Sequence, residues 1–136
     1  MADNIVNIAE ILRKAKTVAV VGLSANPSKP SYEVAQYMQI HGYRIIPVNP
    51  KYSSVLSERC YANLTEIPRS VAIDIVNIFR RPEAVPPIVE EAIQIGAQGI
   101  WMQEGVVSIA AAEKARQAGL WVVMDRCIFR DHSRYI

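Results

Sequence analysis

Thr17-Val-Ala-Val-Val-Gly-Leu-Ser-Ala-Asn-Pro-Ser-Lys-Pro30 is the stretch on which the fold turns. Its first six residues form an apolar run of strand length that ends in glycine. Such a run predicts a strand buried on both faces, the kind found in parallel sheets. Ser24 to Pro30 is polar and carries two prolines, which predicts a loop. A helix is expected from about Ser31 to His41, with Ser31 as N-cap and Gly42 as the C-terminal stop. Strand, turn and helix in that order are the opening unit of a parallel α/β sheet.

The rest of the chain repeats the alternation. Upstream, Ile5, Ile8, Ala9, Leu12 and Ala15 share one face of a helix spanning Asn4 to Lys16. Downstream, Tyr43 to Val48 predicts a second strand ended by Asn49-Pro50. Residues 51–72 are irregular, with one short helical turn near Asn63 to Ile67. Ala72 to Phe79 is a third apolar strand interrupted by Asp74 and Asn77. A helix marked by Val85, Ile88, Val89, Ala92 and Ile93 stops at Gly96. Gln98 to Met102, Ser108 to Ala118 and Leu120 to Met124 then predict strand, helix and strand. A polar tail adds a helical turn. Right-handed crossovers between such strands give a three-layer, doubly wound α/β domain with a five-stranded parallel sheet.

Composition sets the outer bounds. The 136 residues fit one domain over 1–136, and 51% hydrophobic with 21% charged residues is an ordinary globular balance. A net charge of +2 without a long Lys/Arg run does not call for nucleic acid. Two cysteines make no disulfide framework, and no apolar stretch approaches the roughly 20 residues of a membrane span. A soluble, cytoplasmic protein is expected.

In an open parallel sheet, ligands bind outside the carboxyl ends of the strands, where strand order reverses. Four of the five predicted ends carry a cation: Lys29, Lys51, Arg80 with Arg81, and Arg126. Positive charge gathered on one edge suits a ligand with several phosphates. The first loop lacks a GxGxxG fingerprint, for Ala25 and Pro27 stand where later glycines belong. It offers Ser24, Asn26, Ser28 and Ser31 ahead of a helix N-terminus, where backbone donors attract phosphate. After the second strand, Asn49-Pro-Lys51 holds no carboxylate for a ribose diol, so an extra ribose phosphate is favoured. Both NADP and CoA carry one. A nucleotide site of this kind requires Ser24, Lys51 and Arg80 on a single rim.

VVGLSANPSKPSYEVAQYM (20–38), HGYRIIPVNPK (41–51), FRRPEAVPPIVEEAI (79–93), IWMQEGV (100–106) and GLWVVMDRC (119–127) resemble the stand-alone CoA-binding domain family. That family is related to the N-terminal CoA-binding domain of the succinyl-CoA synthetase alpha subunit. The resemblance implies a Rossmann-like fold and CoA, or acyl-CoA, as ligand. It implies that Gly22, Ser24, Ala25 and Asn26 wrap the nucleotide phosphates and that Lys29 reaches a phosphate from the same loop. Pro50 and Lys51 match the segment bordering the adenosine and its 3'-phosphate. Phe79 and Arg80 would flank the adenine or diphosphate, and Met102, Gln103 and Glu104 resemble the turn near the pantetheine arm.

A synthetase of that kind uses a phosphorylated histidine in a separate domain, and this chain shows no counterpart. His41, at a helix end, and His132, in the polar tail, are poor substitutes. Non-catalytic binding of CoA is therefore expected, with an NADP-dependent oxidoreductase and one component of a split acyl-CoA ligase as alternatives. The second alternative needs a partner subunit. Glu104 is the carboxylate expected deepest in the cleft, Trp101 is expected in the core, and no metal-ligand spacing exists. Cys127 follows the last strand beside Arg126. It reads first as a structural cysteine, with a mixed disulfide to the CoA thiol or redox sensing as its functional alternative.

Overall fold

The computed structural model describes residues 6–136. Asn4 and Ile5 of the expected first helix lie outside them. Helix α1 spans Ile8–Lys14, capped by Asn7, whose side chain accepts from the Glu10 N–H at 3.0 Å. Strand β1 is Thr17–Val21, α2 is Pro30–Ile40 and β2 is Arg44–Val48. After a hairpin, β5 (Ile75–Ile78), α3 (Val85–Gln94), β6 (Gly99–Met102), α4 (Ile109–Gln117), β7 (Trp121–Val123) and α5 (Ile128–Tyr135) complete the chain.

All neighbours in the main sheet are parallel, in the order β2-β1-β5-β6-β7. This is the expected α/β architecture. The chain leaves β1 for β2 on one side and then returns to β5 on the other, so the switch point lies between the carboxyl ends of β1 and β5.

Alternation along each strand builds two cores. Val18, Val20, Ile45, Ile75, Trp101 and Val123 face α1, α2 and α5, joined by Leu12, Val34, Met38 and Ile128. Ala19, Val21, Ile46, Val76, Ile78, Ile100 and Met102 face α3 and α4, joined by Val85, Val89, Ala112 and Ala115. Both faces of the sheet are thus dry, which is why the strands read as unbroken apolar runs. Trp101 is fully buried, as expected for a core aromatic, and its indole donates to the Arg126 carbonyl at 2.9 Å. Gly99 has a packing reason: a Cβ there would sit 1.9 Å from the Trp121 ring.

Several local expectations are corrected. Residues 51–72 are not merely irregular, because Ser54–Val55 (β3) and Glu58–Arg59 (β4) form an antiparallel hairpin. Leu56 and Ser57 both take positive φ at its tip, the backbone of a type I′ turn without the usual Asn-Gly. Gln39 Nε2 ties that tip to α2 through the Leu56 carbonyl at 3.1 Å. Leu64–Glu66 forms the short turn anticipated near 63–67, as a 3-10 turn. Ser31 is not the N-cap: α2 begins with Pro30 at its first position, and Lys29 precedes it. The tail is a two-turn helix, α5, because Ile128 and His132 reach the core.

Asp74, which interrupts the third apolar run, is explained at the opposite end of the sheet. Its Oδ2 accepts the N–H groups of Lys16 and Thr17 at 2.9 and 3.0 Å, fixing the start of β1. Among the described residues no helix is long and apolar enough to cross a membrane, and no group of His, Cys, Asp and Glu is placed to hold a metal ion.

Candidate functional site

Gly22 brings the switch point together. It takes φ +88°, open to glycine, and the place its Cβ would occupy is 2.4 Å from the Phe79 carbonyl oxygen and 2.9 Å from Arg80 Cδ. Its N–H donates to the Val48 carbonyl at 2.8 Å. The ends of β1, β2 and β5 therefore meet at one point. Around it lies a cavity of about 490 Å³ lined by Gly22, Ser24, Lys29, Asn49, Pro50, Lys51, Tyr52, Arg80 and Arg81. Four cations face it and no carboxylate does. Ser24, Lys51 and Arg80 share this rim, as a nucleotide site required.

The loop from Ser24 to Lys29 is set by its own side chains. Ser31 Oγ accepts from the Ser24 N–H at 3.0 Å, and Ser24 Oγ accepts from the Asn26 N–H at 3.0 Å. Asn26 Oδ1 then accepts from both the N–H and the hydroxyl of Ser28, at 3.0 and 2.8 Å. These are side-chain turns that prepay the order of a short loop. Asn26 thus acts on the loop's backbone and does not line the cavity, while Ala25 leaves its N–H without a partner among the described residues. Asn49 organises the opposite wall: its Nδ2 donates to the Leu23 carbonyl and its Oδ1 accepts from the Lys51 N–H, at 3.1 and 3.0 Å.

Arg80 and Arg81 continue into a second stretch of the groove, with Phe79, Gln103 and Glu104. Those three in turn lead to a chamber of about 520 Å³ walled by Pro30, Val34, Phe79, Phe129, Gln103 and Cys127, with Glu33, Glu104 and Arg130 at its mouth. One groove therefore runs along the carboxyl ends of the strands, cationic at one end and mainly apolar at the other.

A buried polar chain holds the apolar end. Asn77, 1% exposed, donates from Nδ2 to the Trp101 carbonyl and to Gln103 Oε1, at 3.3 and 3.2 Å. Gln103 Oε1 also accepts the Ile128 N–H at 3.4 Å, so β5, β6 and the start of α5 are joined through one amide. Met102 does not line the groove. Its place in β6 turns its side chain into the core with α3 and α4, so its expected role near the pantetheine arm has no side chain to carry it.

Two other expectations change. Arg126 is not part of the cationic cluster: it forks onto Asp131 with hydrogen bonds of 2.7 and 2.8 Å, and this pairing with a nearly buried carboxylate pushes its pKa up. Glu104 is exposed, not deep in the cleft, and both its oxygens accept from Arg130 Nη1 at 2.8 and 2.6 Å. That pair, and secondarily the nearby Cys127 sulfur, holds Arg130 above its ordinary pKa. His132 is buried, not in a solvated tail. Tyr37 Oη meets its Nδ1 at 2.9 Å, and burial, with His41 nearby, pushes its pKa down. Cys60 is buried behind the wall of the cationic cavity, where its thiol donates to the Asn49 carbonyl at 3.3 Å and desolvation pushes its pKa up.

Asn49, Tyr52, Phe129 and Arg130 line the groove and are not among the expected ligand contacts, whereas Arg81, expected with Arg80 in the cationic edge, does line it. For Phe129 and Arg130 the sequence signal was weak, because a short polar tail hides its helical period.

The same sequence pattern and fold recur in known proteins. Residues 16–133 match the CoA binding domain family. The Bacillus subtilis protein YneT is 42% identical over 126 residues, covering 93% of this chain and 92% of its own length. A solved hypothetical protein from Pyrococcus horikoshii superposes with TM-score 0.90 at 40% identity, over 94% of this chain and 89% of that one. An ADP-forming acetate–CoA ligase from Archaeoglobus fulgidus is 31% identical over 86 residues, 62% of this chain but 12% of the ligase. With the family matched across nearly the whole parallel sheet and its helices, the chain belongs to the CoA binding domain family.

Proposed function

We propose that the chain binds CoA or acyl-CoA, without catalysis of its own, along the groove at the carboxyl ends of the strands. One observation carries this: Lys29, Lys51, Arg80 and Arg81 surround a single cavity that contains no acid. The diphosphate and 3'-phosphate occupy that cavity, and the pantetheine arm passes Phe79 and Gln103 toward Cys127. Lys51 serves the 3'-phosphate and Arg80 the diphosphate. The Asn49-Pro50-Lys51 segment, without an acid for a ribose diol, supports a ribose phosphate there. Against a catalytic role stand the engagement of Glu104 by Arg130 and the burial of His132 against Tyr37. Two free cysteines suit a reducing, cytoplasmic setting.

Calorimetric titration with CoA, dephospho-CoA, NADP and NAD tests the assignment. CoA is expected to bind at least about tenfold more tightly than dephospho-CoA, the worth of a charged hydrogen bond or two. Equal affinities for the two would remove the role given to Lys51. NADP binding more tightly than CoA would favour an oxidoreductase.

A second reading has its own support, the 34% identity over 95 residues to an alpha subunit of an ADP-forming acetate–CoA ligase from Pyrococcus furiosus, of which those residues cover 20%. There the chain would supply the CoA site to a separate ATP-binding partner. Acyl-CoA-dependent ATP formation on adding such a chain, absent from either alone, is the result that would establish it.

A further inference from the structure

We propose that Cys127 is a site of reversible covalent capture, forming a mixed disulfide with the thiol end of the bound ligand. The inference rests on the CoA assignment above and goes beyond it, because it gives the apolar end of the groove a chemistry. Three observations place it there. Cys127 stands directly before α5 and lines the chamber at the far end of the groove from the cations. Val34, Phe79 and Phe129 wall that chamber with apolar surface, suited to an uncharged arm and not to a second phosphate. Gln103, 6% exposed, lines it as well. Its Oε1 is taken by Asn77 and the Ile128 N–H, while its Nε2 makes no hydrogen bond among the described residues. A nearly buried amide with an unused donor beside a thiol is a place for the carbonyl of an amide-bearing arm.

The chemistry is thiol–disulfide exchange with the symmetric disulfide of the ligand. The Cys127 thiolate attacks one sulfur of that disulfide; a new S–S bond forms to Cys127 and the ligand's own S–S bond breaks. The departing half leaves as a thiolate with the electron pair and takes up the proton that Cys127 released. One disulfide is consumed and one is made, so no further oxidant is needed. A reduced thiol reverses the step.

The test uses the full chain with CoA disulfide as the reagent and intact-mass detection. Expected is one adduct, a mass gain of one CoA less two hydrogens, that maps to the Cys127 peptide, vanishes with dithiothreitol and is absent from Cys127→Ser. Pantethine, the same disulfide without the nucleotide, is expected to react slower by on the order of a hundredfold, since the cationic cavity raises the local concentration of the nucleotide-bearing reagent. Calorimetry on the wild-type chain in reductant, run in parallel, separates the two layers. If CoA binds reversibly there and no Cys127 adduct forms, capture is refuted and the binding assignment stands. An adduct on Cys60, or equal rates with pantethine, equally refutes capture in the groove. Failure of CoA to bind in reductant overturns the binding assignment, and capture with it.

Discussion

Two parts of the same sheet edge treat positive charge in opposite ways. At the switch point, Lys29, Lys51, Arg80 and Arg81 face one cavity, and none has a carboxylate within ion-pair distance among the described residues. Beyond β6 and β7, Arg126 is held by Asp131 and Arg130 by Glu104. Cations of the same type at the same edge thus do two jobs. Paired, they fasten α5 to the sheet; unpaired, they leave a positive field open to an anion. The difference lies in whether an acid is within reach, and that is a property of helix placement.

The harshest way to break the comparison is to pry open the switch point. Gly22→Ala introduces a Cβ against the Phe79 carbonyl and forces a left-handed conformation on an L-residue. A loss of about 3 kcal/mol in denaturant melts is expected, with CoA binding falling alongside. An unchanged midpoint would mean that β1 and β5 do not need this close approach.

Next in size is removal of the open charges. Lys51→Ala with Arg80→Ala should weaken CoA by about a hundredfold, each lost charged hydrogen bond contributing about 1.5 kcal/mol, with far-ultraviolet circular dichroism unchanged. The singles sharpen the assignment. Lys51→Ala should erase the preference for CoA over dephospho-CoA, whereas Arg80→Ala should weaken both equally.

The closed charges should respond in the opposite sense. Asp131→Asn removes the fork on Arg126 and should cost about 1–2 kcal/mol of stability, since Arg126 is partly solvated. CoA affinity should stay within about twofold, because sites without shared partners act independently. A large loss of affinity would show that the two halves of the edge are coupled.

The smallest effect is in the pH dependence of stability. Burial lowers the native pKa of His132, so between that value and the ordinary one of about 6.5 the unfolded chain binds more protons. Stability is then complete above about pH 6.5 and declines as pH falls from there toward the native value. Urea melts at a series of pH values should show this slope, and His132→Gln should flatten it. A slope of opposite sign would mean that His132 is charged in the native protein.

Legibility differed along the chain. The five strands, their order of appearance and the loop after β1 were readable, because burial on both faces leaves an unbroken apolar run. The hairpin at 54–59 was not, since Leu56 and Ser57 adopt a backbone usually marked by Asn-Gly. Six expected contacts, Gly22, Ser24, Lys29, Pro50, Lys51 and Arg80, do line one cavity. The Met102 side chain lies in the core because a strand's pleat, which an approximate boundary does not resolve, sends alternate side chains to opposite faces. Arg126 failed because its partner sits in a helix that had looked like a polar tail.

Local pattern by itself determined the alternation of strands and helices, and hence a parallel sheet with its loops gathered at one edge. Periodicity and turn chemistry act over a few residues, so they survive in a bare string. The tertiary structure alone decided which charges at that edge are neutralised. Glu104 and Arg130 are 26 residues apart, and Coulomb attraction over a few ångströms depends on how α5 docks, which no short-range pattern encodes.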